Sequence, residues 1–222
     1  MSGAPTIDAA GNEFTPSASF AVDRTGERTI SLVYIGDSIV AGVGDPRAQG
    51  WVGRVAGRTS SSEASIQHYN LGVAGETSGE VAERWQVEAP LRWKGASERR
   101  LVVSVGRNDI VVGLSLARHR LNLANILDEA SSQGVSTFVV GPAPSGDPEI
   151  DPILAGFSEA QRDVCARRGV PFVDCFTPLA GHEQWEADVA ASSDGSHPGQ
   201  AGYGLIAWLV LHHGWSEWLQ LG

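Results

Sequence analysis

Four short segments of this chain carry the residue types that acyl transfer to a serine would need. An apolar run ends in Gly36-Asp37-Ser38, which puts a hydroxyl on the turn leaving a buried strand. On such a turn the serine oxygen faces substrate while its backbone N–H points into the same space. Gly36 permits the tight turn, and Asp37 can accept from nearby loop amides. Taken alone, the tripeptide reads first as a simple Asp-Ser turn or a helix cap, ahead of a nucleophile. Near the other end, Ser193-Asp194-Gly195-Ser196-His197-Pro198 sets a carboxylate and an imidazole three residues apart in a glycine-containing loop. Bonding one ring nitrogen to Asp194 leaves the other for a serine hydroxyl, and the carboxylate favours the imidazolium formed on proton abstraction. By itself this pair also reads as a loop cap beside an exposed turn histidine.

Two further segments offer hydrogen-bond donors for a developing oxyanion. In Asn70-Leu-Gly-Val-Ala-Gly-Glu-Thr77, Gly75 could present its N–H without side-chain obstruction, and Gly72 competes for the same role. Both also suit a plain strand-to-helix turn. In Gly106-Arg107-Asn108-Asp109, the Asn108 amide is a donor of suitable character, and Asp109 can accept backbone bonds; an Asn-Asp turn is the bland alternative. The remaining histidines add nothing comparable. His212 and His213 fall near a helix end, where they suit helix carbonyls, and His68, His119 and His182 have no Ser, Asp or Cys pattern around them. No H-E-x-x-H and no phosphate-loop Lys-Ser/Thr occurs, so zinc and nucleotide chemistry have little support.

Residues with these roles must be held at one rim, and the chain supplies elements able to do so. Strands are expected at Ile30–Ile35, Ile66–Leu71, Arg100–Val105, Thr137–Gly141 and Pro171–Asp174, several with consecutive apolar residues as in strands buried on both faces. Helices are expected from Trp51 to Arg58 and from a Thr77/Glu80 capping box to Val87, before Pro90. Others run from Leu116 to Ser132, from a Ser158/Gln161 capping box to near Gly169, and after Pro198. This alternation predicts a parallel sheet covered by helices on both sides, with the site beyond the strands' C-terminal ends. Residues 1–28 read as an irregular arm and 29–222 as a single domain, with no internal repeat. The Gly/Pro-rich stretch 141–156 reads as a long rim loop suited to specificity. Trp51, Trp85 and Trp93 read as packing residues ahead of substrate walls.

Composition narrows the function class. A formal charge of −10 over 222 residues repels phosphate backbones and anionic lipid, so nucleic acid is not expected as a partner. The longest apolar stretch near the C-terminus is far shorter than the ~20 residues of a membrane span. Met1–Gly26 lacks a basic segment followed by an apolar one, which makes the cytoplasm the default location, secretion after removal of a signal peptide being the alternative. Cys165 and Cys175 read as separate thiols ahead of a bridge. Oligomeric state is not legible.

Together the four segments resemble the GDSL-type, or SGNH, hydrolase superfamily. The resemblance rests on Tyr34-Ile-Gly-Asp-Ser38, Asn70-Leu-Gly-Val-Ala-Gly75, Val105-Gly-Arg-Asn108-Asp109 and Asp194-Gly-Ser-His197-Pro198, in the family's order and across nearly the whole domain. It implies Ser38 as nucleophile, His197 as base and Asp194 as its orienter. It also implies an oxyanion hole of the Ser38 and Gly75 N–H groups and the Asn108 side chain, favouring Gly75 over Gly72. The implied fold is a three-layer α/β/α, flavodoxin-like arrangement with a five-stranded parallel sheet and no metal or organic cofactor. The implied activity is hydrolysis of carboxylic esters, with a small-molecule ester or an acylated carbohydrate as substrate. Carbohydrate O-deacetylation and acyl-thioester hydrolysis are alternatives on the same residues, and a non-catalytic glycan- or protein-binding module is the alternative of a different class. Two departures stand out: Ser38 is followed by Ile-Val-Ala instead of the motif's leucine, and Arg107 occupies a position that is often small or uncharged in the family. Arg107 is read here as reaching solvent ahead of shaping the acyl or leaving-group side.

Overall fold

The computed structural model describes residues 28–221, together with the backbone of two short antiparallel strands, β1 (Thr6–Ile7) and β2 (Glu13–Phe14). The expected arm otherwise lies outside the described residues, and Arg28, assigned to it on sequence grounds, is the first residue of β3. Five parallel strands form the main sheet: β3 (Arg28–Gly36), β4 (Ala64–Gly72), β5 (Glu98–Ser104), β6 (Ser136–Val140) and β7 (Phe172–Val173). They lie in the order β4-β3-β5-β6-β7.

The sheet is apolar on both faces because successive strand residues point to opposite sides. Along β3, Ile30, Leu32 and Tyr34 enter one core, while Val33 and Ile35 enter the other. The first core is closed by α2 (Gly50–Ala56), α8 (Glu183–Ala190), α9 (Gln200–His212) and α10 (Trp215–Leu219), which contribute Trp51, Trp185, Ile206 and Trp215. The second is closed by α3 (Ser78–Arg92), α5 (Leu116–Ser132) and α6 (Asp151–Ala166), through residues such as Trp85, Leu123, Leu127 and Val164. This is the three-layer α/β/α arrangement expected. Short helices α1 (Ser38–Ala41), α4 (Arg107–Val111) and α7 (Phe176–Leu179) complete the set among the described residues.

Local signals account for most boundaries. The Thr77/Glu80 capping box starts α3, the Ser115 side chain caps α5, and Gly134 follows its end with φ +67°. Two expectations fail for physical reasons. Helix α3 does not stop before Pro90: the proline removes one i→i−4 hydrogen bond from its last turn, but the buried Ala89 and Trp93 hold that turn on the core, and the chain leaves only after Arg92. Ser158 and Gln161 form no capping box. Helix α6 has already begun at Asp151-Pro152, and both residues are buried within it because Gln161 is used by tertiary contacts. The 141–156 loop therefore ends in helix from residue 151. Trp51, Trp85 and Trp93 are buried as packing residues. Cys165 and Cys175 are separate buried thiols, burial pushing the Cys165 thiol up to about 12. No helix among the described residues is long and apolar enough to cross a membrane.

Candidate active site

The segment that carries Ser38 is built where β3 meets β5. A Cβ at Gly36 would lie 1.9 Å from the Ser104 carbonyl oxygen, so only glycine lets the two strands close here. Asp37 then caps α1, its Oδ1 accepting from the Ile39 N–H at 2.9 Å, and Gly42 ends that helix in the left-handed region. Ser38 is the first residue of this single turn. Burial pushes the Asp37 carboxyl up to about 6, against the lowering effect of its Ile39 hydrogen bond and of Arg107.

The two candidate glycines separate clearly. Gly72 packs against α1, where a Cβ would fall 2.3 Å from the Ala41 nitrogen, and its N–H already donates to Asn70 Oδ1 at 2.9 Å. The Asn70 amide in turn donates to the Val40 carbonyl at 2.8 Å. Gly75 has φ +86° and open space where a side chain would be. Gly72 thus serves packing, and Gly75 is the glycine of this turn with room in front of it.

Asn108 stands in the first turn of α4, directly beyond β5. Its Nδ2 donates one hydrogen to the Glu76 carbonyl at 2.9 Å, which orients the second hydrogen of the same amide. Asp109 is wholly buried and bonds the Ser78 N–H and His119, a partner that no local sequence pattern signalled.

The loop between α8 and α9 brings in the remaining pair. His197 Nε2 lies 2.8 Å from Ser38 Oγ, and its Nδ1 lies 2.6 Å from Asp194 Oδ2. Asp194 Oδ1 also accepts from the Ser196 and His197 N–H groups, each at 2.9 Å. The His197 N–H and imidazole, in that order of weight, hold the Asp194 carboxyl far below the usual carboxylate range. Supports for this loop come from sequence-distant residues. Asp188 of α8 accepts from the Gly199 and Gly202 N–H groups at 2.6 and 2.8 Å, satisfying the start of α9. The Tyr203 hydroxyl donates to the Val43 carbonyl at 2.6 Å, fastening α9 to the loop after Ser38 and α1. Arg107 turns inward, contrary to the solvent-facing role read from sequence, and donates to the Ser196 carbonyl at 2.6 Å. His212 and His213 meet the Trp208 and Leu209 carbonyls, as their helix-end position implied.

All five sequence-derived residues therefore meet at one rim of the sheet. Asp37 and Ile39, which flank Ser38, also line a cavity of about 20 Å³ walled by Trp51, Arg107, Pro142 and Trp185. A hydroxyl bonded to an imidazole, an oriented amide and an open glycine turn can perform nucleophilic acyl transfer.

Comparison with known proteins agrees. The chain is 26% identical over 173 residues to Esterase TesA of Pseudomonas aeruginosa, covering 77% of this chain and 81% of that one. Its fold matches Axe2, an acetylxylan esterase from Geobacillus stearothermophilus, with a TM-score of 0.71 at 20% identity over 87% of this chain and 96% of that one. It also matches the psychrotrophic esterase EstA from Pseudoalteromonas sp., with a TM-score of 0.65 at 19% identity over 86% and 98% of the two chains. Residues 34–205 match the model of the GDSL-like Lipase/Acylhydrolase family, a span that takes in all four segments. By that match the chain belongs to the GDSL-like lipase/acylhydrolase family and is a carboxylic ester hydrolase.

Proposed function

We propose that Ser38, His197 and Asp194 carry a two-step acyl transfer, and that the ester is a short acyl group on a carbohydrate. The observation that carries the first part is the unbroken relay from Asp194 Oδ2 through His197 to Ser38 Oγ, with contacts of 2.6 and 2.8 Å. His197 takes the Ser38 proton as Oγ bonds to the ester carbonyl carbon. The oxyanion is met by the Ser38 and Gly75 N–H groups and the free hydrogen of the Asn108 amide. Collapse breaks the C–O bond, and the imidazolium gives its proton to the departing alcohol. Water, deprotonated by His197, then releases the acid and restores Ser38.

The short-acyl part is supported by the narrowness of the cavity that Asp37 and Ile39, the neighbours of Ser38, help to line. The fold shared with an acetylxylan esterase supports the carbohydrate part. One observation favours a second reading: Val73 is exposed on the turn that carries Gly75, and Val111 and Val112 at the end of α4, which carries Asn108, and together they would suit a longer apolar acyl chain.

An organophosphonate ester probe tests the chemistry: it is expected to label the wild-type protein and leave Ser38→Ala unlabelled. Equal labelling of that variant overturns the nucleophile assignment. A profile of kcat/KM over esters from acetyl to lauroyl, with acetylated oligosaccharides alongside, separates the two substrate readings. A maximum at acetyl with turnover of the oligosaccharides supports the first, and a maximum at long chains replaces it with the second.

A further inference from the structure

Outside the proton relay, the described residues hold a second cluster that is entirely shielded from solvent: Asp109, His119 and Gln161. Asp109 Oδ1 accepts from the Ser78 N–H at 2.7 Å, and Oδ2 lies 2.6 Å from His119 Nδ1. His119 Nε2 lies 3.0 Å from Gln161 Nε2, which also donates to the Val105 carbonyl at 2.8 Å. These contacts fix one assignment of protons. Gln161 donates both amide hydrogens, so His119 accepts on Nε2 and donates from Nδ1 to Asp109. Phe157 packs on the imidazole at 4.5 Å between ring centres.

The contacts land on backbone that flanks the oxyanion donors. Val105 and Asp109 bracket Asn108, while Ser78 follows the turn that holds Gly75 and Glu76, and the Asn108 amide bonds Glu76. Gly106 completes the fit, since a Cβ there would come within 3.2 Å of Gln161 Nε2 and 3.3 Å of the His119 ring. A hydrophobic side chain at 119 would fill the space but would leave Asp109 one donor short in a water-free setting.

We propose that His119, with Gln161, is a positioning residue of the oxyanion site, setting the spacing between the Asn108 amide and the Gly75 N–H. The proposal rests on the reading of Asn108 and Gly75 as oxyanion donors. His119 touches no reacting atom; it acts through α4 and the start of α3. An amide misplaced by about 1 Å loses on the order of 100-fold in rate, whereas ground-state ester binding hardly depends on it.

The test is a double-mutant cycle on the purified protein with an activated acetyl ester, reading kcat and KM separately. His119→Phe is expected to lower kcat about 10- to 100-fold with KM within about two-fold. His119→Asn, which keeps a donor near the Nδ1 position, is expected to recover most of that loss. In an Asn108→Ala background, itself about 100- to 1,000-fold slower, His119→Phe is expected to cost less than about three-fold more. Gln161→Met, which keeps the volume and removes the bond to His119, is expected to repeat the pattern in milder form and serves if His119→Phe does not fold. Unchanged kcat in the folded variants overturns the proposal, as does an equal loss with and without Asn108. Wild-type kcat in Asn108→Ala alone overturns the oxyanion reading beneath it, a result distinct from failure of the cycle.

Discussion

Two Asp–His pairs among the described residues have the same 2.6 Å contact between Oδ2 and Nδ1, and the proposed roles give them different work. Asp194 and His197 are three residues apart in a rim loop, their side chains 45% and 17% exposed. Asp109 and His119 are ten residues apart, on α4 and the first turns of α5, both at 0%. The carboxylate contact does not distinguish base from strut; the second ring nitrogen does. In His197 it faces the Ser38 hydroxyl, which can give up a proton, while in His119 it is filled by an amide hydrogen of Gln161. A histidine acts as a base only where its free nitrogen opens onto a reactant.

Substitution of each aspartate puts this contrast to measurement. Asp194→Asn is expected to cost about 10³- to 10⁴-fold in kcat, because the amide favours the wrong imidazole tautomer and cannot support the imidazolium. Its Tm should move little, since the residue is half exposed. Loss of less than ten-fold would reject Asp194 as the orienter. Asp109→Asn is the complement and should appear first in thermal unfolding. Its amide would turn a donor toward His119 Nδ1, shifting the imidazole proton onto Nε2 to face the Gln161 donor. A buried mismatch of that kind costs about 2–4 kcal/mol, and an unchanged Tm would show that the buried pair is dispensable.

The smallest effect lies in the pH dependence of stability, where Asp37 runs opposite to both paired aspartates. Against the raising effect of burial at Asp109, hydrogen bonds hold the Asp109 and Asp194 carboxyls below their ordinary value, so their stabilisation is present above the unfolded value near 3.8 and is lost as pH falls toward their folded values. Burial raises Asp37 to about 6, so the native state holds a proton that the unfolded chain gives up near 3.8. Stability from this group therefore falls as pH rises between those values and stays lower above them. Asp37→Asn keeps an acceptor for Ile39 and removes the buried charge. It is expected to gain on wild type between pH 4 and 6, by at most about 3 kcal/mol; a Tm difference independent of pH would reject the assignment.

What the sequence made legible follows the range of the interactions. The strands showed because both faces of β3 and β5 are buried, leaving apolar runs. The capping box at Thr77 and the 194–197 loop showed because their partners are three residues apart. Asp188, Arg107 and Gln161 were invisible for the opposite reason: Asp188 meets Gly199 across 11 positions, Gln161 meets Val105 across 56, and Arg107 meets Ser196 across 89. No local pattern carries such contacts, and Ser158-x-x-Gln161 even imitated a cap. His119 lacked a neighbouring acid in sequence and found one only when α4 packed beside α5. Gly72 and Gly75 were likewise inseparable from their local residues, where only the family resemblance favoured Gly75; the approach of α1 to Gly72 supplies the physical reason.

Ser38 and His197 stand 159 residues apart, the serine at the end of the strand between β4 and β5 and the histidine on a loop that follows the last strand. If Ser38 and His197 act as proposed, ester turnover is a kinetic clock for assembly of the chain. During refolding, the sheet and its helices can form while product release stays silent, until the segment from α8 to α9 docks. A protease nick in that segment would switch off activity while leaving the sheet's circular dichroism largely in place. Activity and secondary structure measured side by side would separate closing of the site from formation of the fold.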